Sequence, residues 1–273
     1  MFAFMGASIK FVSDDVSTEL IVFFRNLFGF AVILPFVLLS VFKTGLSSLA
    51  TDVPWWHLGR SLAGLGAMYL FFYAIAYIPL SEAVLLSYTT PLFAPLLAWF
   101  LLKEAVSRNL VFAIALGFVG VTFLLNPNFE AFSWVSLIAL GSGLMAAAAM
   151  TAIRRMSKTE PATRIIFYYG LICTSVSSIP LLGIEKMPDT DSMLILVAVG
   201  IFATLGQFCL TRGYSTAPVA QVGPFVYSTV VFATIIGWFF WEEMPTAYTG
   251  FGILLVIVAG SIALGKSAEA KSS

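Results

Sequence analysis

The sequence predicts an all-α polytopic membrane protein, with ten transmembrane helices arranged as two inverted five-helix repeats. Three observations carry this. Hydrophobic residues make up 60% of the 273 positions and charged residues only 10%, where soluble domains carry roughly a quarter charged residues. So much apolar surface needs lipid as its solvent. One stretch also occurs twice. Pro79 to Glu104 reads PLSEAVLLSYTTPLFAPLLAWFLLKE, and Pro218 to Glu243 reads PVAQVGPFVYSTVVFATIIGWFFWEE. Laid without a gap, the copies share Pro79/Pro218, Tyr88/Tyr227, Thr90/Thr229, Phe93/Phe232, Ala94/Ala233, Trp99/Trp238, Phe100/Phe239 and Glu104/Glu243. Shared Leu or Val would follow from composition, but Pro, Tyr, Trp and Glu in register mark an internal repeat. The third observation is the uneven placement of the basic residues, taken up below.

Apolar runs that can span a bilayer need about 20 residues as a helix. They fall at about 1–13, 18–42, 56–78, 80–102, 108–126, 133–153, 162–183, 191–213, 217–240 and 246–265. The first is short and meets Lys10 early, which suggests a true start upstream of Met1. Ser13-Asp14-Asp15 and Ser17-Thr18-Glu19 precede the second run. Thr51-Asp52-Val53-Pro54 leads into Trp55-Trp56, an interfacial aromatic pair. Asn126-Pro127-Asn128 separates the fifth run from the sixth, and Met187-Pro188-Asp189 precedes the eighth. The domains expected are a first five-helix repeat at 1–126, a loop at 127–132, a second repeat at 133–265 and a disordered polar tail at 266–273. Cys173 and Cys209 both sit in apolar runs and read as packing residues rather than a disulfide.

Lysine and arginine set the orientation. With the N-terminus in the cytoplasm, the inner side receives Lys43, Arg60, Lys103, Arg108, Arg154, Arg155, Lys158, Arg164, Arg212, Lys266 and Lys271, and the outer side only Lys10 and Lys186. Ten spans then leave both termini cytoplasmic. Five spans per half turn the second half upside down relative to the first. The exit loop of the first copy, KEAVSR, carries Lys103 and Arg108, whereas the matching exit EEMPTA carries neither. Inverted repeats of this kind place a site near the bilayer midplane.

The strings ELIVFFRNLFG (Glu19–Gly29), IPLSEAVLLSYTTPLFAPLLAWFLLKE (Ile78–Glu104) and GFVGVTFLL (Gly117–Leu125) resemble the EamA-type branch of the drug/metabolite transporter superfamily. The likeness covers nearly the whole chain as two tandem copies. It implies ten helices in two inverted halves and a central cavity lined mainly by the third, fourth, eighth and ninth. It also implies transport of small organic solutes, often outward. The place expected is the bacterial inner (plasma) membrane.

Candidate site residues come from the midplane. Pro91 and Pro95 sit inside the fourth run, where each removes a backbone donor. The carbonyls freed there need another partner or an aqueous cavity. Ser87, Tyr88, Thr89 and Thr90 surround that point, and Gln221, Tyr227, Ser228 and Thr229 surround Pro224 in the second copy. The plainer reading has these prolines as packing kinks, with the hydroxyls bonded back to their own helix. For the combined cluster, cavity lining is preferred. The substrate-binding set expected is Arg25, Asn26, Tyr88, Thr89, Thr90, Pro91, Gln221, Tyr227 and Ser228, with Tyr88 and Tyr227 facing each other across the site. Trp99 and Trp238 lie near helix ends and read as interfacial anchors.

Arg25 lies two turns into the second run, where an arginine needs a partner or water. Either it forms an outer-side ion pair with Glu82, Glu19 or Asp15, or snorkels, or with Asn26 it attracts an anionic or zwitterionic solute. Glu82, matched by Gln221 in the other copy, is a candidate proton-coupling group; the plainer reading leaves it ionised at the surface. Glu104 and Glu243 occur in both copies and read as architecture. His57 reads as a lone interfacial histidine. Glycine pairs such as Gly117/Gly120 and Gly141/Gly143 read as helix-packing surfaces, one of which could hold a homodimer.

Nothing here suggests an enzyme, a cofactor, a metal site or a nucleic-acid partner: there is one histidine, no ligand cluster and no phosphate-cradling loop. The partners expected are the lipid bilayer and a small-molecule solute. The reading is a secondary transporter of small polar metabolites, amino-acid-like or otherwise zwitterionic or anionic, working by alternating access in export or exchange. The alternatives are a proton-coupled exporter of drugs or lipophilic cations, which wants a carboxylate in the cavity, and a non-transporting membrane scaffold.

Overall fold

The computed structural model describes residues 1–45, 49–102, 112, 115–117, 119–120, 133–157, 159–183, 187–216, 228–244 and 247–265. Its helices are α1 (Phe2–Val12), α2 (Thr18–Thr44), α3 (Pro54–Tyr77), α4 (Leu80–Ser87), α5 (Thr90–Leu102), α6 (Trp134–Met156), α7 (Ala162–Ser177), α8 (Thr190–Thr216), α9 (Ser228–Trp241) and α10 (Ala247–Gly265). A 3-10 turn, Ile179–Gly183, extends α7, and among the described residues there is no strand.

Local chemistry sets the helix ends. Ser13 donates from Oγ to the Lys10 carbonyl at 2.8 Å and closes α1. Gly45, at φ 80°, ends α2 in a conformation that disfavours a Cβ. Pro54 stands at the start of α3, where its missing N–H costs nothing. The Ser133 side chain accepts the Val135 N–H at 3.2 Å to cap α6, and Asp189 accepts the Ser192 N–H at 3.2 Å ahead of α8.

Among the described residues, six stretches are long and apolar enough to cross a membrane: Thr18–Thr44, Pro54–Tyr77, Glu82–Leu101, Trp134–Met156, Ala162–Gly183 and Thr190–Cys209. Shorter apolar helices are Phe2–Val12, Val231–Trp241 and Gly250–Ala259. The chain is therefore a helical integral membrane protein. Phe36, Phe42, Trp55, Leu182 and Phe239 are exposed on its outside, as a lipid-facing surface requires. Trp99 and Trp238 are each 57% exposed, so this matched pair projects from the bundle in both copies.

The helices pack in a pattern that survives exchange of the two halves. α3 lies along α6, and α1 along α8. α2 rests on α8, and α3 on α7. α4 and α5 lie against α6, and α1 against α9. α2 meets its own counterpart α7, and α4 meets α9, as expected on either side of a twofold axis. The buried core joins α1, α2, α3 and α4 through Ile9, Ile21, Ile75, Leu80, Leu85 and Leu86, and continues to Leu92 of α5 and Leu196 of α8.

The fourth apolar run differs from the single kinked helix its letters suggest. It is two helices, α4 and α5, broken at Tyr88 and Thr89. Tyr88 leaves the helix at φ −82°, ψ 14°, in the bridge region between helix and strand. Pro91 becomes the second residue of a new helix, a position that does not need its N–H.

Candidate functional site

The break is satisfied from within the chain. Thr89 Oγ1 donates to the Leu86 carbonyl at 2.6 Å. Thr90 Oγ1 lies 3.2 Å from the Ser87 carbonyl and 3.3 Å from the Gly143 carbonyl of α6. Ser142 Oγ donates to Ala139 O at 2.6 Å, which leaves Ser87 Oγ as donor in its 2.5 Å contact with Ser142. α6 can come this close because position 143 is glycine: an ideal Cβ there would stand 2.9 Å from Leu86 O and 3.1 Å from Ser87 O. Thr89 and Thr90 thus seat a discontinuous helix on α6. Tyr88 is half-buried beside them.

Arg25 and Asn26 stand on another face, where α2 meets α3 and α7. Arg25 Nη1 donates to Asn26 Oδ1 at 2.8 Å. Among the described residues no carboxylate pairs with Arg25; neither Glu82, Glu19 nor Asp15 reaches it. Arg25 Nε and Asn26 Nδ2 are buried without a hydrogen-bond partner. Arg60 on α3 is a second such group. The sequence places it among the cations of the inner rim, yet it is 5% exposed, and its Nε and Nη1 likewise lack partners. Its guanidinium carbon lies 3.4 Å from the centre of the Tyr169 ring of α7.

The two ends of α3 carry different polar contacts. At its C-terminal end, Lys10 of α1 forms an ion pair with Glu243, whose Oε2 also accepts the Leu80 N–H at 2.9 Å. Lys10 Nζ lies 3.3 Å from the Ile78 carbonyl as well. Glu242, in the left-handed region at φ 55°, turns the chain back after α9 so that Glu243 reaches α1 and α4. Glu82 accepts a hydrogen bond from Ser136 Oγ at 2.9 Å and lies within electrostatic reach of Glu243. A cleft of about 740 Å³ near the start of α2 is lined by Asp15, Glu19, Pro180 and Asp189.

At the N-terminal end of α3, Glu160 is buried between Thr51 and Arg164, which donate to it at 2.8 and 2.9 Å. His57 Nε2 lies 3.8 Å away, and the His57 ring packs on Tyr168 with centroids 4.6 Å apart. His57 is 2% exposed, packed within the bundle beside Glu160 near the start of α3. Burial pushes the Glu160 carboxyl up, but the hydrogen bonds from Thr51 and Arg164 and the positive charge beside it outweigh burial and hold it below the usual carboxylate range.

The expected site residues therefore fall into two groups: Arg25 and Asn26 on α2, with Arg25 within electrostatic reach of Cys173 on α7, and Tyr88, Thr89, Thr90 and Pro91 at the α4–α5 break, where Thr90 meets α6. Ser228 is the first residue of α9. Gln221, Tyr227 and Glu104 lie outside the described residues. Both cysteines are free: Cys173 is buried and Cys209 exposed. Among the described residues no group of side chains could hold a metal. Arg60 and Glu160 were missed. Their sequence signal, a charge within a turn or two of a helix end, is the same one that marks ordinary interfacial residues.

Comparison with known proteins agrees with this architecture. The profile of the EamA-like transporter family matches residues 1–126 and again 133–264. A pseudopaline exporter of Pseudomonas aeruginosa is 33% identical over 271 residues, covering 97% of this chain and 92% of its own. A riboflavin transporter of Vibrio cholerae is 25% identical over 98% of this chain and 88% of its own. An S-adenosylmethionine uptake transporter of Rickettsia felis is 26% identical over 92% and 84% respectively. A crystal structure superposes with a TM-score of 0.69 at 21% identity, over 96% of this chain and 94% of its own, and shares its fold. A family profile that covers both halves and a relative one-third identical over almost the full length leave one conclusion: the chain belongs to the EamA-like transporter family.

Proposed function

We propose that this small-molecule transporter of the inner membrane moves polar organic metabolites that carry an anionic group, amino-acid-like or otherwise zwitterionic or anionic. The observation that carries this is the Arg25–Asn26 pair: a half-buried cation on α2, its Nε enclosed and unpaired, with no carboxylate beside it among the described residues. Such a charge costs several kcal/mol in a low-dielectric setting unless something negative or wet compensates it. A solute carboxylate would do so. The discontinuous α4–α5 adds support, because transporter sites are built where helices break. Relatives named for pseudopaline, riboflavin and S-adenosylmethionine support organic metabolites as cargo. Their names include both export and uptake, so direction rests on the resemblance to outward-moving family members alone.

In this reading ten helices form two inverted halves with both termini cytoplasmic. Alternating access rocks one half against the other about the twofold-related contacts α2–α7 and α4–α9. Tyr88 and Tyr227 face the solute, Thr89, Thr90 and Pro91 contribute from the α4–α5 break, Gln221 and Ser228 contribute from the second copy, and Glu82 couples protons. A homodimer would form through a glycine-bearing face. The test is a solute screen in proteoliposomes at two pH values, with and without a pH gradient. Accumulation or exchange of acidic and zwitterionic solutes ahead of neutral ones is expected. Gradient-driven movement of lipophilic cations would favour the drug exporter instead, and no movement of any solute would favour a scaffold.

A further inference from the structure

Two arginines enter one region of this bundle, Arg60 buried and Arg25 half-buried with its Nε enclosed, and both lack counter-ions among the described residues. Arg60 begins the region from one end. It lies on the second turn of α3, about 9 Å from the start of that helix by its rise per residue. Arg25 enters from the opposite end, about 10 Å into the antiparallel α2. Cys173, deep in α7, is within electrostatic reach of both. Its thiol lies 3.5 Å from the Ser61 carbonyl of α3, which joins α7 to α3 beside Arg60.

Around this point the chain leaves an unusual set of polar atoms without partners: Arg25 Nε, Asn26 Nδ2, Arg60 Nε and Nη1, Ser61 Oγ, Tyr69 OH and Thr174 Oγ1. Buried polar atoms are nearly always bonded, and a cluster of exceptions calls for an explanation. Donors dominate the cluster. The four nitrogens can only donate, and the three hydroxyls can donate as well. The cluster thus holds more donors than the chain has paired with acceptors here, which is the complement of an oxyanion.

The Arg60 guanidinium is also held in place. It stacks 3.4 Å from the Tyr169 ring centre, and Gly64 makes the room: a Cβ there would stand 3.0 Å from Tyr169 Cε2 and 3.2 Å from Arg60 Nη1. Stacking fixes the plane of the guanidinium, whose enclosed Nε and Nη1 have no hydrogen-bond partner among the described residues; an oxyanion is the group that would pair with them. Its burial at 5% exposure rules out snorkelling as the means of keeping its charge in water.

We propose that Arg60, stacked on Tyr169, and Arg25, braced by Asn26, are two anchors of one site that takes a solute with two separated acidic groups, such as a dicarboxylate. This deepens the function proposed above and rests on it. A monoanion would compensate one arginine and leave the other unpaired. A diacid compensates both, and the hydroxyls of Ser61, Tyr69 and Thr174 supply further donors between them.

The test uses the full-length purified chain in detergent, with linear dicarboxylates of four to seven carbons as probes and the matching monocarboxylates and diamides as controls at equal ionic strength. Binding is read from the shift in thermal unfolding. Dicarboxylates should raise the transition of the wild type more than monocarboxylates, and diamides should leave it in place. Arg60→Gln should weaken dicarboxylate binding about tenfold or more, to the monocarboxylate level, because it loses one charge-assisted anchor. Monocarboxylate binding should stay within about twofold, held by Arg25. Arg60→Met should unfold at a higher temperature than wild type without ligand, because it removes an uncompensated charge held for function. Undiminished dicarboxylate binding by Arg60→Gln, a lowered ligand-free transition or failure to fold in Arg60→Met, or no dicarboxylate effect on the wild type would each overturn the two-anchor site. The function proposed above fails separately, if Arg25→Gln binds every acidic probe as the wild type does.

Discussion

Lys10 and Glu243, 233 residues apart, form an ion pair that ties the first helix of one half to the last turn beyond α9 of the other. Glu243 has a second task, accepting the Leu80 N–H where α4 begins. The carboxylate thus caps a helix N-terminus, where negative charge is favourable, while it neutralises Lys10. The architectural role read from its repetition in sequence takes a definite form here: it closes one end of the bundle. The pair is largely buried, so a double-mutant cycle of Lys10→Met and Glu243→Gln should give a coupling of about 1–3 kcal/mol in thermal unfolding. Glu243→Ala should be worse than Lys10→Met, because only the former also strips the cap. Strict additivity of the two changes would show that the contact carries no energy.

Gly143 governs how closely α6 approaches the broken helix. A methyl group at that position would press on the carbonyls of Leu86 and Ser87, which are backbone and cannot rotate aside. Gly143→Ala should therefore destabilise the protein by about 1–3 kcal/mol and loosen the α4–α5 break. Gly141→Ala, two residues away, is the internal control, because its Cβ would meet Leu70 Cδ1 at an ordinary 3.6 Å. Equal melting temperatures for the two variants would contradict this packing.

Much of this arrangement is legible in the letters, and the remainder is hidden for a physical reason. Helix positions follow from apolar run length, and Pro91 with the hydroxyls before it announces a disturbance. A kink and a full break at Tyr88–Thr89 have the same letters; which occurs depends on α6 bringing Gly143 and Ser142 to the exposed carbonyls. Arg60 and Glu160 show the deeper limit. In a lipid-facing helix nearly every side is apolar, so periodicity does not say which face turns inward. Whether a charge near a helix end meets solvent or a neighbouring helix is decided by α3 packing on α7, a long-range choice the local sequence does not record.

Glu160 makes stability depend on pH. Its carboxyl titrates below the ordinary carboxylate value of 4.5 in the folded protein, so folding favours its charged form. The sign follows from linkage: above the unfolded value its contribution is complete, and it is lost as pH falls through the lower folded value. Thr51, His57 and Arg164 are the groups that face it. The unfolding temperature of the wild type should exceed that of Glu160→Gln at pH 7, and the gap should shrink as pH drops below about 4.5. A gap that stays constant into acid would mean the carboxylate charge is not what holds Thr51, His57 and Arg164 together.

Arg25 offers the sharpest test of solute charge. Its one hydrogen-bond partner among the described side chains is Asn26, so removing the arginine strips no ion pair from the fold. A structural arginine and a solute anchor then predict different things. As an anchor, Arg25→Gln should lower the affinity for acidic solutes by about 10–100-fold, the range for a hydrogen bond to a charged group, and leave neutral solutes within about twofold. Arg25→Glu should go further, because the reversed charge repels the acidic group, and should lower competition by acidic solutes more than by neutral ones. Competition against one transported solute in proteoliposomes reads both arms in a single preparation. Asn26→Asp adds a partner for the arginine from within the chain and should weaken acidic solutes in the same direction while leaving the cation in place. If all three variants reduced acidic and neutral solutes equally, Arg25 would act through the packing of α2 and not through charge.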